Sequence, residues 1–326
     1  MRRSILLSAV VFLAACGPDT GSDGESPRAP SATAQPLPEG VEAISLLGEE
    51  LRAPNFPADV RATYEANLAA AEAAYEAAPT DADSIIWLGR RTAYLGRYRE
   101  AIDIYTRGIE LHPEDARLYR HRGHRYISVR DFDRAIADFD RAVELTRGTE
   151  DVVEPDGLPN ARGVPTSTLH FNIWYHLGLA HYLKGDLEEA LEAWRSCLEV
   201  SEHVDSQVAT SYWLNNTLRR MGRDAEADEL LTRIRPDLDI IEVGSYLDVL
   251  LLHKGDRDEE DLLGPSGEAA TLASTTTGYG VAVWHLVNGR EEAAWDLMER
   301  VLTNRDQWAA FGYVASEADL ARRDDG

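Results

Sequence analysis

His121 and His124 stand three residues apart, so on a helix both rings project from one face. That spacing supplies half of a tetrahedral zinc site if two further ligands arrive from elsewhere. His176 and His181 are five apart, face different ways and do not complete it. These histidines are therefore read as structural or surface groups, and no metal is assigned. The acidic run DRDEED, Asp256 to Asp261, lacks the glycine and the spaced ligands of a calcium loop and reads as a solvated helix start. No GxSxG, HExxH, P-loop or glycine-rich dinucleotide motif occurs. The two cysteines, Cys16 and Cys197, are too far apart for a CxxC site and too few for a disulfide framework. No catalytic set and no cofactor are expected, so any function should be one of binding.

The elements begin with an export segment. Arg2 and Arg3, the apolar run Ile5 to Ala15 and the small residues before Cys16 form the three parts of a secretory signal, and the apolar part is too short to span a bilayer. LAAC, Leu13 to Cys16, resembles the bacterial lipoprotein box. That resemblance implies removal of residues 1–15, a diacylglycerol on the Cys16 sulfur and an acyl group such as palmitate on its amine. Three chains would moor the protein almost permanently. Gly17 follows, not the aspartate that retains many such proteins in the inner membrane, so the resemblance implies a Gram-negative outer membrane with the chain facing the periplasm. Residues 16–56, which open with the Gly-, Pro-, Ser- and Asp-rich stretch 17–40, are expected to be a disordered tether. Losing Arg2 and Arg3 takes 33 basic residues to 31 against 57 acidic ones, and the formal charge from −24 to −26. Such an acidic chain has no nucleic-acid footprint. With Cys16 lipidated, Cys197 is left as a lone thiol at a small-residue helix position, expected buried.

From residue 57 to 326 the chain is organised by a period. Gly89 to Ala101, Gly123 to Ala135 and Gly178 to Ala190 are each twelve residues apart, and the first two pairs are offset by 34. Trp174, Leu177, Gly178, His181, Ala190 and Trp194 mark the sharpest unit; Tyr119, Gly123, Tyr126, Ala135 and Phe139 mark the second; Ile85, Leu88, Gly89, Ala101, Tyr105 and Pro113 mark the first. This pattern resembles the tetratricopeptide repeat. It predicts an all-α solenoid of about five antiparallel helix pairs in which small residues let helices approach closely. Weaker units carry Asn215 and Ala282 in place of the glycine. SYLDVLLLHKGDRDEEDLL predicts a truncated pair, and RDQWAAFGYVASEADLAR a helix capping the last repeat with Trp308, Phe311 and Tyr313. An insertion at 147–170, with three prolines and two further glycines among its breakers, interrupts the rhythm and is expected to border the binding face.

By the same resemblance, the concave face would carry Arg90, Arg120, His121, His124, Tyr175, His176, Tyr182, Tyr212, Trp213, Asn216 and Arg219. A basic and aromatic groove on an acidic chain suits a protein or peptide partner with acidic groups or a free carboxylate. Alanine at both Arg120 and Arg219 should then weaken capture without lowering the melting temperature. The alternative is a small anionic ligand enclosed by the 147–170 insertion, in a binding protein or enzyme subunit. Self-association through exposed Tyr and Trp stays open.

Overall fold

The computed structural model describes residues 37–263 and 271–324. The Leu13–Cys16 box and the tether as far as Pro36 lie outside them. A short antiparallel hairpin comes first, β1 (Val41–Ile44) with β2 (Glu50–Arg52). Val41, Ala43 and Leu51 are buried. The expected tether thus includes a folded stretch, and the compact unit starts at Leu37.

Fourteen α-helices follow among the described residues. A leading helix α1 (Ala58–Ala77) precedes the pairs α2 (Ala82–Tyr94) with α3 (Tyr98–Leu111), α4 (Ala116–Ser128) with α5 (Phe132–Thr146), and α6 (Leu169–Lys184) with α7 (Leu187–Val200). Next come α8 (Val204–Arg220) with α9 (Asp224–Leu231), the truncated pair α10 (Gly244–Lys254) with α11 (Glu259–Leu262), α12 (Leu272–Val287) with α13 (Glu291–Leu302), and the final α14 (Phe311–Asp324). Several starts are set by side-chain caps: Asp81 accepts from the Ser84 amide at 2.8 Å, and Thr168 accepts from the Phe171 amide.

Close approach within a pair comes from one contact repeated three times. A Cβ at Gly89 would lie 2.5 Å from the Tyr105 ring, at Gly123 2.9 Å from Phe139, and at Gly178 2.8 Å from Trp194. The aromatic side chain of each second helix therefore occupies the gap its glycine leaves. From α1 to α10 each helix packs on its predecessor, and α12 then packs on α10, as a tetratricopeptide-like solenoid with one truncated pair requires.

Seven residues after each of Gly89, Gly178, Asn215 and Ala282, the turn between the paired helices places a glycine at positive φ: Gly96, Gly185, Gly222 and Gly289. In the second unit that position is Arg130, with φ 67°, the one non-glycine residue at positive φ among the described residues. A side chain there is strained.

The solenoid closes on itself. Instead of capping α13 alone, α14 runs through the interior and packs on α6, α12 and α13. Trp308, just before it, packs edge-on against Tyr98 of α3, and its indole N–H donates to the Arg52 carbonyl at 2.6 Å. Val301, Trp308 and Tyr313 share one core with Ala43, Leu51, Ile85 and Tyr105. The two ends of the described chain form a single packed body.

Candidate functional site

The inner wall was expected to be open. Two pieces of the chain fill it. The first is α14. Its Glu317 carboxylate accepts from Arg130 Nε at 3.0 Å and Nη2 at 2.7 Å, with side chains 1 % and 3 % exposed, and from the Leu46 amide at 2.6 Å. Asp319 accepts from Arg220 at 2.8 Å and from the Tyr279 hydroxyl at 2.9 Å. Arg322 donates to the Leu183 carbonyl. Phe311 packs on His124, His176 and Tyr175.

The second piece is the insertion. Arg90 donates to the Pro155 carbonyl and Arg91 to the Gly157 carbonyl, each at 2.8 Å, while both guanidiniums stack on Trp87. Glu154 enters the wall, 3.1 Å from Arg120 Nε and 3.3 Å from His121 Nε2, and accepts from Asn172 at 3.0 Å. On the far side Thr166 donates to Glu242. That residue's segment is tied down because the backbone amides of Ile241, Glu242 and Val243 all point at the buried Asp205 carboxylate, at 2.6 to 3.1 Å. The insertion is a brace between the first repeats and the 239–243 segment.

Each expected wall residue can be placed. His121, His124 and His176 come together: His121 stacks on Tyr105, and the His124 and His176 rings are 4.3 Å apart. His176 Nδ1 meets the Asn172 carbonyl at 2.6 Å. Burial first, then the positive charge of Arg120 and Arg125, holds all three imidazoles well below their ordinary range, so they are neutral. Tyr175 accepts from the Trp213 indole at 2.8 Å and meets Tyr246, which stacks on Tyr212. Tyr182 bonds Tyr279 at 2.7 Å. Asn216 is buried with neither amide atom partnered among the described residues.

Three expectations are corrected. Tyr182, Tyr212 and Trp213 are fully buried in the core instead of displayed on a groove. Arg219 is not on the wall: it turns to α9, where Asp224 and Asp228 pair with it, and Arg220 faces inward in its place. One residue of slip on a helix is a rotation of about 100°, enough to exchange their faces. Arg120 is a buried strut holding Glu154, so its loss should cost stability. Arg130, Glu154, Glu317 and Asp319 were missed. Arg130 had a signal, since it interrupts a row of turn glycines. The others lie on the insertion and the last helix, outside the repeat pattern.

Two recesses border the expected wall residues. One, about 250 Å³, lies beneath the insertion between Trp87, Arg90 and Arg117 and Val152, Val153 and Pro155. The other, about 570 Å³, lies at the centre, between the start of α10, the start of α12, the 309–311 turn and His124. Among the described residues no three His, Cys, Asp or Glu side chains gather to hold a metal, and no helix is long and apolar enough to cross a membrane. Burial pushes the Cys197 thiol up to about 12, so it is chemically quiet.

The geometry defines an all-α, tetratricopeptide-like solenoid, and residues 171–203, which span α6 and α7, match the family model described as Tetratricopeptide repeat. Small glutamine-rich tetratricopeptide repeat-containing protein 2 of Saccharomyces cerevisiae is 26% identical over 143 residues, 40% of this chain and 35% of that protein. BBSome complex member BBS4 of Bos taurus is 26% identical over 123 residues, 38% of this chain and 20% of that one. The chain thus matches about a third and a fifth of these relatives' lengths. Among solved structures, YrrB, described as a TPR protein with an unusual peptide-binding site, is 15% identical with a TM-score of 0.40, covering 72% of this chain and 92% of that chain. A tetratricopeptide repeat protein from Parabacteroides merdae is 16% identical with a TM-score of 0.43, covering 81% and 86%.

Proposed function

We propose that this chain is a lipid-anchored, non-catalytic adaptor that holds a protein or peptide partner against the insertion side of its closed solenoid. Tetratricopeptide-repeat proteins are in general scaffolds for protein–protein contact, and the repeat match at 171–203 supports that class. The observation that carries the site is the insertion itself. It is braced at both ends, yet turns Val152, Val153, Leu158 and Val164 outward, Val153 being 59 % exposed. Apolar side chains displayed from a braced loop suit contact with a partner. Beside them, Arg90 and Arg91 donate to carbonyl oxygens and form no salt bridge among the described residues, which leaves guanidinium charge to meet an acidic segment. Anchoring at Cys16, in the outer membrane and facing the periplasm, rests on the lipoprotein box. The small anion beneath the insertion has less support, because Arg117 and Arg120 already hold carboxylates there.

A photo-crosslinking residue at Val153 in native membranes should give a discrete adduct that the same residue at the equally open Leu111 does not. Matching adducts at both positions, or none at Val153, would remove the insertion from the contact. Mass spectrometry of the mature terminus tests the anchor separately: an unmodified Cys16 sulfur contradicts it.

A further inference from the structure

We propose that the central recess binds a single-chain amphiphile, an unbranched acyl chain whose carboxylate lies toward His124 and whose tail runs along Tyr246, Leu272, Ala273 and Phe311. The recess, about 570 Å³, falls in the range of sites that enclose small molecules. Its walls come from three distant stretches, residues 242–246, 272–276 and 309–311, and closure of the solenoid brings them together around His124. The lining is mostly apolar, including Val243, Tyr246, Leu272, Ala310 and Phe311.

The polar side chains of the lining are few: His124, Glu242, Ser245 and Thr276. The His124 ring packs against His176, 4.3 Å away, and Phe311, 5.5 Å away. Its nitrogens bond no other described group. The neighbouring Arg125 lies over the Tyr98 ring at 5.1 Å and pairs with no carboxylate among the described residues. Arg125 does not itself line the recess, but its positive charge acts on His124, and together they favour a carboxylate at that ring. Glu242, held by Thr166, also lines the recess, and its charge repels a carboxylate, which favours seating the headgroup at His124. An acyl tail also fits the lining better than a peptide. A peptide's amides would need partners, and this wall offers little beyond the Ser245 and Thr276 hydroxyls. The inference stands apart from the partner reading above.

Membranes carrying the full-length protein can be incubated with dodecanoate bearing a terminal diazirine, irradiated, and the labelled peptides mapped. Label within 242–246, 272–276 or 309–311 is expected. Ala273→Trp, at an exposed position on the rim, should reduce it by about tenfold while leaving the Val153 crosslink intact. Unlabelled dodecanoate should compete better than dodecanol, and His124→Leu should abolish that preference. Label elsewhere, or indifference to Ala273→Trp, overturns the site; dodecanol competing equally in the parent protein overturns the carboxylate assignment.

Discussion

Arg130 and Glu317, 187 residues apart, form a two-pronged ion pair in the interior, and Arg130 reaches it from a turn position where the other repeats use glycine. The backbone strain and the buried charge occur at the same residue. The pair ties the second repeat to the last helix.

Removing one partner strands the other. Glu317→Ala should destabilise the fold by about 3–5 kcal/mol, the cost of leaving a buried charge uncompensated. Arg130→Gly relieves the positive φ but strands Glu317. Arg130→Gly with Glu317→Ala should therefore lose clearly less than the sum of the two single changes in a urea-denaturation double-mutant cycle. Additive losses would mean that the pair is uncoupled.

Arg120→Ala should cost about 3 kcal/mol, because Glu154 is left buried beneath the insertion. The insertion should also be cut faster by protease. A variant that melts like the parent would return Arg120 to the free surface.

Gly178→Val should cost about 1–3 kcal/mol by overpacking. It drives a side chain into Trp194, whose indole donates to Thr217 at 3.1 Å, so the loss should appear with a changed tryptophan emission. Unchanged emission and stability would contradict the glycine–aromatic contact.

Acid should weaken the fold before carboxylates titrate. His121, His124 and His176 sit well below the ordinary 6.5 in the folded chain, and burial lowers His253 to about 3. Below pH 6.5 the unfolded chain therefore binds protons that the folded chain refuses. Stability is complete above that pH and falls as pH drops toward the folded values, by up to about 1.4 kcal/mol per pH unit for each histidine. Urea midpoints measured at neutral pH and at pH about 5.5 test this. A flat profile would place these rings in water.

The glycine–aromatic pairs were legible because spacing alone brings Gly178 to Trp194: both lie on helices joined by a short turn. The hairpin was not, since it directly follows the Pro- and Gly-rich stretch and was read with it, and Ala43 and Leu51 are buried in a core shared with the distant Trp308. Arg219 and Arg220 could not be told apart by pattern, because adjacent helical positions differ only in what the tertiary fold sets opposite them. Closure was hidden for a related reason. Glu317 and Asp319 read as ordinary surface acids of a terminal helix until Arg130 and Arg220 face them, and no local period links residues so far apart.

The central claim is that the last helix occupies the interior of the solenoid. Nuclear Overhauser contacts in the aromatic-labelled protein test it most directly, between the Phe311 and His124 rings, whose centroids lie 5.5 Å apart. The account predicts a strong contact at neutral pH, with amides of 312–320 exchanging as slowly as those of α6. Absence of that contact, with rapid exchange of α14 alone, would contradict it.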